Sequence, residues 1–356
     1  MRIQEWNFRI LALASALLLV DCLQDLQAQD FLPVEVAAQP GAHQIIVSVQ
    51  GRPFTRFLYP DSLEKPVLFP LYAPDGVCIT RGFPLEPKAH EPQDHPHHIG
   101  LWFTYEKVNG LDFWNNSYAI PAEKKSAYGW IRLDRIISAR SGQSGEIRYR
   151  ADWTDIGHRV LLVENTRFVF TASPDLRMID RITELEAVTD VDFEDAKDGL
   201  LGLRVAHELE LPSAQPASYT DAKGNITSLP AESRSAVSGD YLTSAGKTGD
   251  SAWGTRAAWC MLRGKMQGDS ISVVIIDHPG NPGYPTYWHA RGYGLFAANP
   301  LGQKVFSQGK EVLGFKLRTG QKVMFRYRII LASAATSLSV ARINQLAAEF
   351  EKKYQK

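Results

Sequence analysis

Short runs of alternating apolar and polar residues, broken by Gly, Pro and Asn, constrain this chain more than any other feature. They cover His43 to Val49, Phe54 to Tyr59, Glu146 to Trp153, Arg159 to Thr171 and Leu176 to Glu186. Leu200 to Leu211, Ile271 to Asp277 and Lys322 to Ala332 continue the series. A period of two places alternate side chains on opposite faces of a strand. Turn residues recur roughly every dozen positions, a spacing that favours a large antiparallel β-sandwich over a parallel sheet with crossover helices.

Two regions depart from that pattern. Residues 212–250 are polar and rich in Ser, Ala, Gly and Thr, which predicts a long loop, either a lid or a mobile connection. Near the end, Val340, Ile343, Leu346, Ala347, Phe350 and Tyr354 recur at helical spacing. This predicts a C-terminal α-helix over 339–355 packed on the sandwich, with Lys352 and Lys353 complementing its dipole.

The N-terminus has the pattern of an export signal. Arg2 and Arg9 precede an apolar run from Ile10 to Val20, and Leu26-Gln27-Ala28 offers a cleavage site before Gln29. Asp21 argues against lipidation of Cys22. Residues 1–28 are therefore expected to be a signal peptide, and 29–356 a single secreted domain, periplasmic or extracellular. No later stretch is apolar for long enough to span a bilayer. With 39 basic and 39 acidic residues and no basic block, nucleic acid and anionic membranes are poor partners. Cys78 and Cys260 either form a disulfide or remain small buried hydrophobes.

The densest chemistry lies in Asp94-His95-Pro96-His97-His98-Ile99-Gly100-Leu101-Trp102, where three of the nine histidines fall within four positions. Pro96 excludes a helix there. Each buried imidazole brings two nitrogens that need partners, so such crowding points to a site. Further clusters are Val108 to Trp114, Phe193 to Gly199 leading to Arg204 and His207, Asp277 to Pro282 with His278 and Asn281, and Tyr287 to Gly294 with Trp288, His289 and Arg291.

Asp94 to Gly100, Asn109-Gly110-Leu111-Asp112-Phe113-Trp114, Asp277-His278-Pro279-Gly280-Asn281-Pro282 and Trp288-His289-Ala290-Arg291 resemble a family of secreted bacterial proteins known as methane oxygenase PmoA. The resemblance covers nearly all of the chain beyond residue 28. It implies a galactose-mutarotase-like supersandwich, in which histidines and a carboxylate handle sugar hydroxyls and proton transfer. Methane oxidation by a membrane-bound subunit would need several apolar spans, which this sequence lacks. Where the family carries Lys-Glu-Gly, this chain has Lys197-Asp198-Gly199, a carboxylate one methylene shorter.

The leading expectation is a secreted carbohydrate-active enzyme acting on a sugar ring or glycosidic linkage. His97, His98, His278 and His289 are the candidates for proton transfer, assisted by Asp198. Arg204, Arg291, His207, Asn281, Trp102 and Trp288 are the candidates for substrate binding. Arg204 is expected to pair with Asp195 or Asp198. No cofactor is expected on this reading. A second reading has His95, His97, His278 and His289 holding a divalent metal in a hydrolase or oxygenase. The third is a non-catalytic glycan-binding envelope protein. All three predict a carbohydrate or other small polar ligand.

Overall fold

In the computed structural model, residues 31–89, 91–220, 226–231 and 237–355 are described. The expected signal peptide and part of the 212–250 loop lie outside them. Residues Leu32–Lys356 form one compact unit. As expected, it is a large antiparallel β-sandwich with a C-terminal helix.

The first eight-stranded sheet runs Val34–Gln39, Gln44–Val49, Arg52–Leu58, Val67–Leu71, Leu101–Tyr105, Gly199–Arg204, Leu295–Asn299, Tyr287–Ala290. The second runs Asp240–Thr243, Trp259–Met266, Asp269–Asp277, Lys322–Ala334, Leu176–Ala187, Val160–Ala172, Gly145–Thr154, Trp130–Arg140. The alternating runs read from the sequence are strands here, except that the run from Leu200 ends at Arg204 and turns through a short 3-10 helix, His207–Leu209. The 212–250 segment is not wholly irregular: Ala217–Thr220 pairs with Ile226–Leu229, and Asp240–Thr243 forms the edge of the second sheet.

Alternation sorts the side chains into three layers. Between the sheets, Leu101, Phe103 and Tyr105 meet Trp153, Phe168 and Ile329 in the main core. Within it Glu164 accepts bonds from Tyr149 Oη at 2.6 Å, Trp153 Nε1 at 2.9 Å and Thr166 Oγ1 at 2.7 Å. Arg181 supplies its counter-charge at 2.5 Å, so this buried acid is both neutralised and hydrogen-bonded.

The outer face of the second sheet is covered by the helix Val340–Lys353. Ser339 caps it, accepting from Arg342 N. Ile343, Leu346 and Phe350 pack on Met178, Trp259, Val274 and Ile330, while Val340 of the expected stripe is exposed. Asp180 locks the last turn, taking two bonds from Arg328 at 2.6 and 2.9 Å and one each from Lys353 and Tyr354. The outer face of the first sheet carries a smaller apolar cluster that includes Leu63, Phe69, Ile99, Trp102, Trp114 and Ala297. Among the described residues, Cys78 and Cys260 are free thiols, not bridged to each other.

Candidate functional site

Strand register sets the floor of the site on that second outer face. Gly202 lies opposite Trp102 on one side and Ala297 on the other, and Ala297 lies opposite His289. These four positions form one row across the sheet. A Cβ at Gly202 would stand 2.5 Å from the Trp102 ring and 2.7 Å from Trp114, so only glycine lets both indoles lie against the strand.

The histidine loop folds over this row. Gly100 has φ +54°, and a Cβ there would sit 2.2 Å from the Leu68 carbonyl oxygen, so glycine is needed where the loop enters its strand. Arg81 ties the loop down through its backbone, donating to the carbonyls of Pro92, Asp94, His95 and His98. The rings then stack in a column. Tyr293 to His95 is 5.5 Å, His95 to His98 is 4.8 Å and His98 to Trp102 is 5.2 Å, with interplanar angles of 8°, 4° and 17°.

Asp94 is the charge at the centre of this arrangement. Its Oδ1 accepts from Arg81 at 3.0 Å and Arg204 at 3.3 Å, and its Oδ2 meets His95 Nδ1. Burial pushes its carboxyl up, but the His95 bond and the two guanidiniums outweigh that and hold it well below the usual carboxylate range. Arg204 also reaches His98 Nδ1 at 3.3 Å and Glu210 at 3.9 Å, and it stacks on Tyr293 at 4.9 Å. The expected pairing of Arg204 with Asp195 or Asp198 is therefore corrected: its acids are Asp94 and Glu210. Asp195 instead accepts from the backbone of Lys304 and Val305 at the start of the short helix Gln303–Phe306.

His97 and His98 are buried and held neutral, chiefly by desolvation. Lys65, only 3% exposed, lies over the Trp102 ring, and burial lowers its ammonium to about 8. Among the described residues, His97 Nε2 and Trp102 Nε1 are buried with no hydrogen-bond partner.

Beyond Tyr293 the site opens. Asp198, with its side chain 15% exposed, lies 3.3 Å from His289 Nδ1 and 3.5 Å from Lys197 Nζ. Burial pushes the Asp198 carboxyl up to about 6; Lys197 pulls it back, while Glu106 and Asp112 add to the rise. His289 is depressed to about 3, mainly by burial, with Lys197 and Arg291 adding to the fall, so it is neutral beside that carboxylate. Trp253 and Phe306 wall His289 edge-on at 6.4 and 5.9 Å. Arg291 is exposed and stacks on both Trp253 and Tyr293 at 5.7 Å.

The structure thus gathers Asp198, His289 and Arg291 at one opening, with His95, His97, His98, Trp102 and Arg204 beside or beneath it. His207 stands at the rear, its Nδ1 3.2 Å from Glu210, which raises its imidazole pKa. Three expected residues are elsewhere. His278 leaves the second sheet under the C-terminal helix, 5.2 Å from the Phe350 ring and bonded through Nδ1 to Gly280 N. It therefore lies on the opposite side of the sandwich from His98. Asn281 holds that same loop, donating to Asp277 and the Arg326 carbonyl and accepting from Arg326 N. Trp288 points into the main core and donates to the Ala257 carbonyl. Trp102 is 1% exposed beneath His98 and Arg204 has no exposure, so both support the rings above them and offer no open face to a ligand.

The four-histidine metal set fails for the same reason, since His278 is across the molecule from the other three. Among the described residues no group of three or more His, Cys, Asp or Glu is arranged to hold a metal ion. No helix among them is long and apolar enough to cross a membrane.

Several site residues were not picked out from the sequence. Arg81 and Lys65 sit in ordinary strand-flanking segments with no local signal. Trp253 did leave one: it is the sole large aromatic in a stretch of Ser, Ala, Gly and Thr. Tyr293 lay within a quoted cluster but was given no role.

Residues 44–348 match the model of DUF6807, a family of unknown function, and the chain belongs to that family. A comparison with curated proteins finds no match. Among solved structures, it is similar to the GH36 α-galactosidase AgaB from Geobacillus stearothermophilus, at 12% identity and a TM-score of 0.38, over 85% of this chain and 41% of that one. An α-galactosidase from Lactobacillus brevis is 10% identical with a TM-score of 0.36, covering 92% and 42%. A putative aldose 1-epimerase from Escherichia coli K12 is 8% identical with a TM-score of 0.31, covering 85% and 98%. This chain spans about two fifths of the length of the two α-galactosidases.

Proposed function

We propose that this protein is a carbohydrate-active enzyme that moves protons on a sugar ring, with Asp198 as the group that takes and returns the proton. One observation carries the reading: a partly exposed carboxyl brought to about 6, held against a neutral imidazole at the mouth of an aromatic-walled site. A general acid–base catalyst works best when its pKa lies near the working pH, because it then both accepts and donates readily. Asp198 as carboxylate removes the proton of the anomeric hydroxyl as the bond between the anomeric carbon and the ring oxygen breaks to the open-chain aldehyde, and as the acid it returns that proton to the released ring oxygen; the reverse steps on the other face of the carbonyl close the ring as the other anomer. His289 is the positioning partner. Being neutral, it stands 3.3 Å from Asp198 without fixing it in the ionised form, as an imidazolium would.

Proton relocation on the ring fits better than hydrolysis by two carboxylates. Asp94, the acid of the histidine loop, is engaged by Arg81, Arg204 and His95 and held well below the usual carboxylate range, so it is not a second proton-exchanging carboxyl. Trp253, partly exposed, supplies a ring against which the apolar face of a sugar can lie.

The test is exchange between anomers of a panel of monosaccharides, followed by NMR with purified protein. Asp198→Asn is expected to lower the rate about 100-fold or more, within the usual range for loss of a general base. His289→Leu should lower it less, with His289→Gln partly restoring it. Wild-type rates in Asp198→Asn, in a variant that folds normally, would remove Asp198 from the chemistry. The reading also includes export: the purified extracytoplasmic form should begin at Gln29, as N-terminal sequencing would show.

A further inference from the structure

The cations around the opening differ in how they are paired. Arg81 and Arg204 are offset by Asp94 and Glu210, all four being buried. Lys197 is offset by Asp198. Arg291 is different: it is exposed, it lies 5.7 Å from both the Trp253 and Tyr293 ring centres, and among the described residues it forms no ion pair, a property it shares at this site only with the buried Lys65. Next to it, Trp253 Nε1 is a buried donor with no partner among the described residues. An arginine flanked by aromatic rings has its planar fork fixed in direction, so it loses little freedom when it binds an acid. An unpartnered donor in the adjoining ring can add a further bond to a bound anion.

We infer that the substrate is an anionic sugar of the uronate class, its ring carboxylate held by Arg291 and the Trp253 indole N–H. A carboxylate carries the single negative charge that one uncompensated guanidinium matches, and it accepts the fork in a bidentate manner. A phosphate, with nearly two charges, would leave an excess. This inference rests on the reading of Asp198 as the proton-transfer group, because it places the carboxylate end of the ring at Arg291 and the reacting hydroxyls at Asp198. No covalent step beyond proton transfer is added.

Calorimetry with glucuronate, galacturonate, glucose, galactose and glucose 6-phosphate tests it on the whole protein. At least one uronate is expected to bind about 10-fold or more tightly than its neutral counterpart, the factor that a 1.4 kcal/mol difference gives. That preference should shrink in 0.5 M salt and disappear in Arg291→Gln, with Arg291→Lys in between. Equal affinity for uronate and neutral sugar, tighter binding of the 6-phosphate than of either uronate, or a preference that survives Arg291→Gln would each overturn it. Folding of the variants is checked by their unfolding midpoints. The two readings fail separately. If Asp198→Asn binds uronate normally and converts it at the wild-type rate, the chemistry is wrong and the charge recognition stands. If neutral sugars bind as well as uronates while Asp198→Asn is inactive, the reverse holds.

Discussion

The two outer faces of the sandwich use the same materials for different ends. On the helix face, Asp180 is surrounded by Arg328, Lys353 and Tyr354, and His278 is occupied by Gly280 and the Phe350 ring. A 14-residue helix then covers it. On the loop face, Asp94 is just as fully engaged by Arg81, Arg204 and His95. There, however, neighbouring polar atoms are left over: among the described residues, His97 Nε2, Trp102 Nε1, Trp253 Nε1 and His289 Nδ1 lack hydrogen bonds. Buried polar groups ordinarily find partners, and leaving one without costs roughly 1–3 kcal/mol. The helix face is a finished polar joint. The loop face keeps buried polar atoms without partners, and that difference, more than the number of histidines, sets the two faces apart.

The largest expected effect on stability lies on the helix face. Asp180→Ala strands Arg328 in the interior and should cost about 3–5 kcal/mol in urea unfolding. A loss below about 1 kcal/mol would show that the helix docks by apolar packing alone. On the loop face, Gly202→Ala pushes a methyl into Trp102 and Trp114 and should cost about 1–3 kcal/mol. It should also alter near-ultraviolet dichroism of the indoles; an unchanged spectrum would mean that the ring column is not seated on this strand. The smallest mutational effect is predicted for His278→Ala, about 1 kcal/mol of stability with sugar conversion unaltered. Lost conversion in that variant would erase the contrast between the faces.

A pH effect sharpens it further. The Asp198 carboxyl is raised in the folded state above the ordinary value near 4. The folded form therefore holds its proton more tightly. That contribution to stability is complete below about pH 4 and is lost as pH rises through about 6. Asp198→Asn should accordingly gain on the wild type in unfolding free energy between those limits. A difference that is flat with pH would mean that the carboxyl is not perturbed.

Much of this was legible in the sequence, for identifiable reasons. Strand alternation gave the sandwich because one buried face per strand imposes a period of two, and the spacing of Ile343, Leu346 and Phe350 gave the helix in the same way. The histidine run, Asp198, His289 and Arg291 could be singled out because such residue types crowd together only under chemical need. His278 and Asn281 look the same in sequence, a polar loop after a buried strand, yet the loop belongs to the other sheet. Which sheet a strand joins depends on pairings between segments tens to hundreds of residues apart, such as Gly202 with Trp102, and no local pattern encodes them. Arg81 escaped notice for a related reason. Apart from Asp94, its partners are backbone carbonyls of the histidine loop, which any sequence would supply.

The central claim is that Asp198 exchanges a proton with a sugar ring. Its most direct test is the pH dependence of sugar interconversion, measured by NMR for the wild type and Asp198→Asn. The wild-type rate should rise through an inflection at about pH 6 as the carboxylate forms, and the residual rate of Asp198→Asn should show no such inflection. An inflection at about pH 6 that persists in Asp198→Asn, or a wild-type profile that is flat from pH 4 to 8, would contradict the claim.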